Sequence, residues 1–159
     1  MTVWDLLAAP LYIGLLFLIA HYIVQWKYRG TPHARYFYWG LGLKIVGCIG
    51  FALVYQFYYG GGDTFRYYAN SQTLTGLFFT DPAQYVALMS QSEVAREVSS
   101  ELQGVTDVFW KDATYMVARV ASVFALLSFN LFLPMSLWFA FFSFLGLWGL
   151  YRTCCALYP

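Results

Sequence analysis

The residues best suited to chemistry lie in one polar stretch, residues 58–71, directly after a long apolar run. Three successive glycines, residues 60–62, precede Asp63, and Arg66 follows three positions later. Glycine lets the backbone turn sharply and approach a ligand closely. A carboxylate on such a turn can orient or deprotonate a hydroxyl group, and a neighbouring cation can stabilise a departing phosphate. The stretch therefore predicts a reaction site where a membrane helix meets water.

The neighbouring side chains extend this candidate site. Tyr67 and Tyr68 can stack on sugar rings and shield the site from water, and Asn70 follows them in the same cluster. Arg119 lies inside a later apolar run, where a charge needs a partner or contact with water. It can pair with Asp63 or bind an anionic ligand. An enzyme that transfers a sugar from a polyprenyl-phosphate carrier needs similar groups.

Structural explanations for the same residues remain open. Asp63 or Thr64 can cap a helix by accepting hydrogen bonds from its first free N–H groups. Arg119 can extend along its helix so that its guanidinium reaches the membrane surface. The sequence alone does not separate these roles from the chemical ones.

Composition places the chain in a membrane. Of its 159 residues, 60% are hydrophobic, 22% aromatic and only 11% charged, whereas a soluble domain has about 25% charged residues. Membrane lipids are therefore expected partners. No basic patch favours nucleic acid, and the three cysteines and two histidines lack metal-ligand spacing.

The apolar runs predict an all-α polytopic membrane protein forming a single transmembrane domain. The expected spans are residues 3–26, 36–58, 108–128 and 135–151, with residues 59–107 forming an external loop. The loop at residues 27–35 carries three basic residues and no acid, so the positive-inside rule places it in the cytoplasm. Four spans then place the N-terminus, the long loop and Arg152 outside.

Local signals refine this arrangement. Asp81 and Pro82 predict an interfacial helix through about Met89, and a second capping signal at Ser90 predicts another that Gly104 ends. Small residues indicate where helices can pack closely. The glycines concerned are Gly42 and Gly50 in the second span and Gly146 and Gly149 in the fourth.

The sequence resembles the polytopic C-type (GT-C) glycosyltransferase superfamily over roughly residues 36–152. Those proteins carry an acidic residue in the first external loop, followed by interfacial helices and further spans. Gly62, Asp63 and Thr64, followed by Tyr67 and Tyr68, look like that element. The run at residues 119–122, leading into residues 143–147, looks like the next pair of spans.

The resemblance implies that Asp63 is catalytic and that a polyprenyl-phosphate-linked sugar is the donor. The donor or acceptor would contact Arg66, Tyr67, Tyr68, Asn70 and Arg119. No cofactor is specified, and the bacterial inner membrane is the expected location.

Two departures from the family pattern leave other functions open. The acid follows the second span rather than the first, and the family usually has eight or more spans, so the chain is expected to be an N-terminal part or a reduced relative. The main alternative is a non-catalytic small subunit that packs against and stabilises a larger membrane complex. A third is a transport component in which Lys44 and Arg119 line a polar path.

Overall fold

The computed structural model describes residues 1–31, 33–90 and 112–157. In these residues every regular element is a helix, so the all-α fold expected from the sequence is confirmed. The helices are α1 (Val3–Lys27), α2 (His33–Phe57), α3 (Asp63–Thr80), α4 (Pro82–Met89), α5 (Asp112–Leu127) and α6 (Phe132–Leu157).

Three of these helices, α1, α2 and α6, are long and apolar enough to cross a membrane. They contain 25, 25 and 26 residues. At 1.5 Å per residue each is about 38 Å long, which exceeds the roughly 30 Å hydrocarbon core of a bilayer. The chain is therefore an integral membrane protein. The three helices overlap the spans expected at residues 3–26, 36–58 and 135–151.

The two short helices α4 and α5 differ in how well the sequence anticipates them. Helix α4 begins as expected, because Pro82 is its first residue and the Asp81 carboxylate accepts a hydrogen bond of 3.0 Å from the Gln84 N–H. Helix α5 has 16 residues and measures about 24 Å, which is short for a span. The start of the span expected at residues 108–128, and the helix expected after Ser90, lie outside the described residues.

The chain forms two compact units. One, the spanning unit, consists of Met1–Tyr59 and Ser136–Pro159, and the other, the connecting unit, consists of Gly60–Met135. In the spanning unit the fully buried Phe37 ring contacts the Phe144 and Trp148 rings, with centroid distances of 4.9 and 5.0 Å. These edge-to-face contacts join α2 to α6 and form an aromatic core.

Helices α2 and α6 run antiparallel in the spanning unit. Cys48 Sγ contacts the Ser136 carbonyl oxygen at 3.4 Å, whereas the His33 and Tyr151 rings meet at the other end, 6.0 Å apart. The Arg152 guanidinium lies over the Tyr28 ring, 5.1 Å from its centroid. Arg152 is therefore beside the loop at residues 27–35.

The expectation that Arg152 lies on the opposite side from this loop is wrong. It assumed four spans, whereas the start of α6 lies beside the second half of α2, at Cys48, and α6 returns from there toward the loop. Lys27, Arg29, Arg35 and Arg152 consequently lie at one end of the spanning unit. The positive-inside rule places that end in the cytoplasm.

This geometry predicts which cysteines an impermeant maleimide labels in intact cells. In a background without Cys48 and Cys155, the exposed Cys154 should be protected, as should a cysteine at Thr31. A cysteine at the exposed Tyr58 should be labelled, because it lies at the other end of α2. Permeabilised cells should label all three and provide the control. Labelling of Cys154 but not of Thr31→Cys in intact cells would contradict the antiparallel arrangement.

Candidate functional site

The candidate site begins with a glycine turn between α2 and α3. Gly60, Gly61 and Gly62 have φ angles of 64°, 147° and 135°. These values lie in the region that L side chains rarely adopt, so the turn requires glycine. Its backbone brings Asp63 to the first position of α3, six residues after α2 ends.

Asp63 is exposed and available to a ligand. Gly62 is the N-cap of α3 and no side chain caps the helix, so the expectation that Asp63 or Thr64 serves as the cap is wrong. Within the described residues, the Asp63 carboxylate accepts no hydrogen bond and joins no ion pair. Asp63 lies in the first turn of α3, at the end of the helix toward which the backbone dipole attracts anions.

Two further predicted residues lie close to Asp63 on the same helix. Arg66 and Tyr67 follow it by three and four positions, a spacing that places side chains on one helix face. Arg66 is exposed and Tyr67 is half-buried. The structure therefore gathers a carboxylate, a guanidinium and a phenol within the first two turns of α3.

Tyr68 and Asn70 instead contribute to packing in the connecting unit. The Tyr68 hydroxyl donates a hydrogen bond to the Asn130 carbonyl oxygen and accepts one of 2.9 Å from Gln72 Nε2. Its ring contacts that of Phe132, with a centroid distance of 5.4 Å. Asn70 is only 6% exposed. These contacts join α3 to the beginning of α6.

Arg119 is buried in the middle of α5, with 6% of its surface exposed. Its guanidinium lies over the Tyr115 ring, 4.1 Å from the centroid. Its Nε and Nη2 atoms are buried and make no hydrogen bond to the residues that the structure describes. A cation over an aromatic face is stabilised by the ring electrons. The spacing of four residues between Tyr115 and Arg119 is the sequence signal for this contact, which was not among the contacts expected for Arg119.

The structure separates Arg119 from Asp63. Leu74 of α3 packs in one cluster with Ala118, the neighbour of Arg119, while Phe65 stacks on Phe132 near the start of α6. Helices α3 and α5 therefore run antiparallel. Asp63 precedes Leu74 by eleven residues, or about 16 Å along the helix. The expected ion pair between Asp63 and Arg119 is not formed, because Asp63 lies beside the end of α5.

A double-mutant cycle on stability in mild detergent tests this separation. Asp63→Asn and Arg119→Gln should be additive within about 0.5 kcal/mol, as is usual for residues this far apart. A contacting pair provides the positive control. Tyr85→Phe and Ser122→Ala should couple by more than about 0.5 kcal/mol, because their hydroxyls lie 3.2 Å apart. Coupling of Asp63 to Arg119 as strong as that of the control pair would contradict the described packing.

The chain was compared with protein-family models, curated proteins and solved structures. No protein-family model, curated protein or solved structure matches the chain. In the described residues no group of three or more His, Cys, Asp or Glu side chains is placed to hold a metal ion.

Proposed function

We propose that this chain is a membrane glycosyltransferase of the GT-C type, or the part of one that carries its catalytic carboxylate. The exposed Asp63 carboxylate, free of hydrogen bonds and ion pairs within the described residues, is the observation that carries the proposal. A carboxylate used only to stabilise the fold would be expected to have a partner in the protein. This one is available to a substrate at the water-facing end of a membrane helix.

In the proposed reaction Asp63 acts as the general base. It takes the proton of an acceptor hydroxyl as that oxygen bonds to the anomeric carbon of the sugar. The bond between this carbon and the phosphate oxygen breaks, and the phosphate leaves with the electron pair. Arg66 stabilises the developing phosphate charge, and Tyr67 provides an aromatic surface for a sugar ring.

A lipid-linked donor suits this position. Helix α2 ends at Phe57, so a polyprenyl chain in the bilayer can bring its phosphate to the level of the glycine turn. The reaction would take place on the external face of a bacterial inner membrane. Tyr68, Asn70 and Arg119 are assigned structural roles because their described contacts are with the connecting unit itself.

The proposal is tested with purified protein in liposomes. A radiolabelled polyprenyl-phosphate hexose is supplied with a hydroxyl acceptor, and a nucleotide-linked hexose replaces it in the control. Transfer from the lipid-linked donor alone supports the proposal. Transfer from the nucleotide donor, or from neither while the lipid donor binds, contradicts it.

A second candidate is the non-catalytic subunit, and the surface of α1 favours it. Large apolar side chains that are more than half exposed recur along this helix at intervals of three, four or seven residues. They are Trp4, Leu7, Leu11, Leu18, Tyr22 and Trp26. Such a stripe can pack against a partner helix. If this is the function, Leu7→Ala with Leu11→Ala should dissociate a purified complex, while Asp63→Asn should leave that complex and its activity unchanged.

A further inference from the structure

A groove outside the predicted site lies between α2 and α6 in the spanning unit. Its volume is about 420 Å³ and its lining is mainly apolar. Its lining includes Gly40, Leu43, Lys44, Phe144, Leu147 and Trp148. Within the described part of the chain, Lys44 makes no hydrogen bond and no ion pair. An unpaired lysine in a membrane helix requires an anionic partner or a path to the surface.

The depth of Lys44 permits its ammonium group to reach the membrane boundary. The exposed Tyr36 and Trp39 mark this boundary on α2, as amphipathic aromatic rings do at lipid–water interfaces. Lys44 is five residues deeper than Trp39, which corresponds to about 7.5 Å. Helical side chains point toward the N-terminus of their helix, so the lysine stem extends back toward that boundary.

Gly40 keeps the path of this side chain open. It precedes Lys44 by four residues and therefore lies on the same helix face. A Cβ atom at position 40 would lie 2.9 Å from Phe144 Cε2. A larger residue would consequently displace the Phe144 ring and narrow the groove beneath Lys44.

We propose that this groove binds an anionic phospholipid, with the phosphate held by Lys44 Nζ and an acyl chain lying between α2 and α6. Leu43, Phe144 and Leu147 supply the apolar surface for the chain. The surrounding charge is complementary, because Arg35 and Arg152 lie at the same end of the spanning unit.

Charge favours an anionic lipid over an apolar partner helix, because Lys44 is ion-paired to none of the described residues and lies in the half of α2 nearest the basic end of the spanning unit. Trp148 Nε1, beside the groove, is buried and has no hydrogen-bond partner among the described residues.

Native mass spectrometry of the detergent-purified protein tests the proposal. Phosphatidylglycerol and phosphatidylcholine with identical acyl chains are titrated, and the apparent dissociation constants are compared. We expect the wild type to prefer phosphatidylglycerol by about fivefold, the effect of one basic residue near an anionic lipid surface. Lys44→Gln should remove this preference, whereas Lys44→Arg should retain it.

Two further variants distinguish lipid binding in the groove from general attraction of anionic lipid to basic side chains. Lys27→Gln, which removes an exposed cation from the same end, should leave the preference unchanged within about twofold. Leu147→Trp should weaken binding of both lipids by filling the groove, and Leu147 is 54% exposed, so the change is expected to fold. The thermal unfolding of each variant is measured to confirm that it is folded.

Three outcomes would overturn the proposal. The first is equal binding of both lipids by the wild type, and the second is an unchanged preference in folded Lys44→Gln. The third is displacement of phosphatidylglycerol by equimolar glycerol phosphate, which has no acyl chain and would indicate a simple phosphate site.

Discussion

Asp63→Asn should reduce sugar transfer from a polyprenyl-phosphate donor by at least about a hundredfold, the usual contribution of a general base. Asparagine has nearly the same size as aspartate but cannot accept the proton of the acceptor hydroxyl. Folding should be little affected, because the Asp63 carboxylate makes no hydrogen bond within the described residues. The loss of a favourable charge at a helix N-terminus costs only about 0.3–1 kcal/mol.

Asp81→Asn is the matched control for this experiment. Asp81 is also an exposed aspartate at a helix N-terminus, and its carboxylate caps α4. Asparagine is an equally good cap, so transfer should stay within about twofold of wild type. Transfer rates and melting temperatures are measured for both variants. Full activity of Asp63→Asn would show that Asp63 is not the general base. Loss of activity together with unfolding in both variants would contradict a catalytic role for Asp63 as well.

Gly40→Ala should destabilise the protein by about 1–3 kcal/mol, the usual cost of forcing an extra methyl group against a packed side chain. The added Cβ would meet Phe144 Cε2 at 2.9 Å. This ring cannot move freely, because Phe37 packs against it with a centroid distance of 4.9 Å. The free energy of unfolding in mixed micelles measures the effect.

Gly50→Ala is the control on the same helix. A Cβ at position 50 would meet no atom of the described part of the chain within 4 Å, and alanine is the better helix former by about 1 kcal/mol. It should therefore stabilise the protein or leave its stability unchanged. The same sign and size of effect at both positions would show that helix propensity, and not the Phe144 contact, decides the outcome.

Composition and run length predict the membrane helices, because an uninterrupted apolar run has few alternatives to spanning a bilayer. The Asp81–Pro82 pair likewise predicts α4, because a cap and an N-terminal proline are local signals. The side of the membrane on which Arg152 lies cannot be predicted in this way. It depends on the number of spans before it, and the apolar part of α5 is too short to decide that number from sequence.

The sequence likewise does not predict which glycines lie at a close helix contact. The sequence favours close packing at Gly42, Gly50, Gly146 and Gly149, yet the tightest described approach is at Gly40. At Gly50, Gly146 and Gly149 an added Cβ would meet no atom of the described residues within 4 Å. The separation of Asp63 from Arg119 has the same origin. Helix pairing and register decide both, and neither is encoded in the spacing of residues along one helix.

The contact of Phe37 with Phe144 also has a consequence for the order of synthesis. About 110 residues separate the two rings, so at 5–20 residues per second a ribosome needs roughly 5–20 s to supply the partner. During this interval α1 and α2 can already pair in the bilayer, while the face of α2 that carries Phe37 and Gly40 has no protein neighbour. Lipid must therefore solvate that face first. The arrival of α6 is then a displacement reaction, and its rate depends on how strongly the lipid is held.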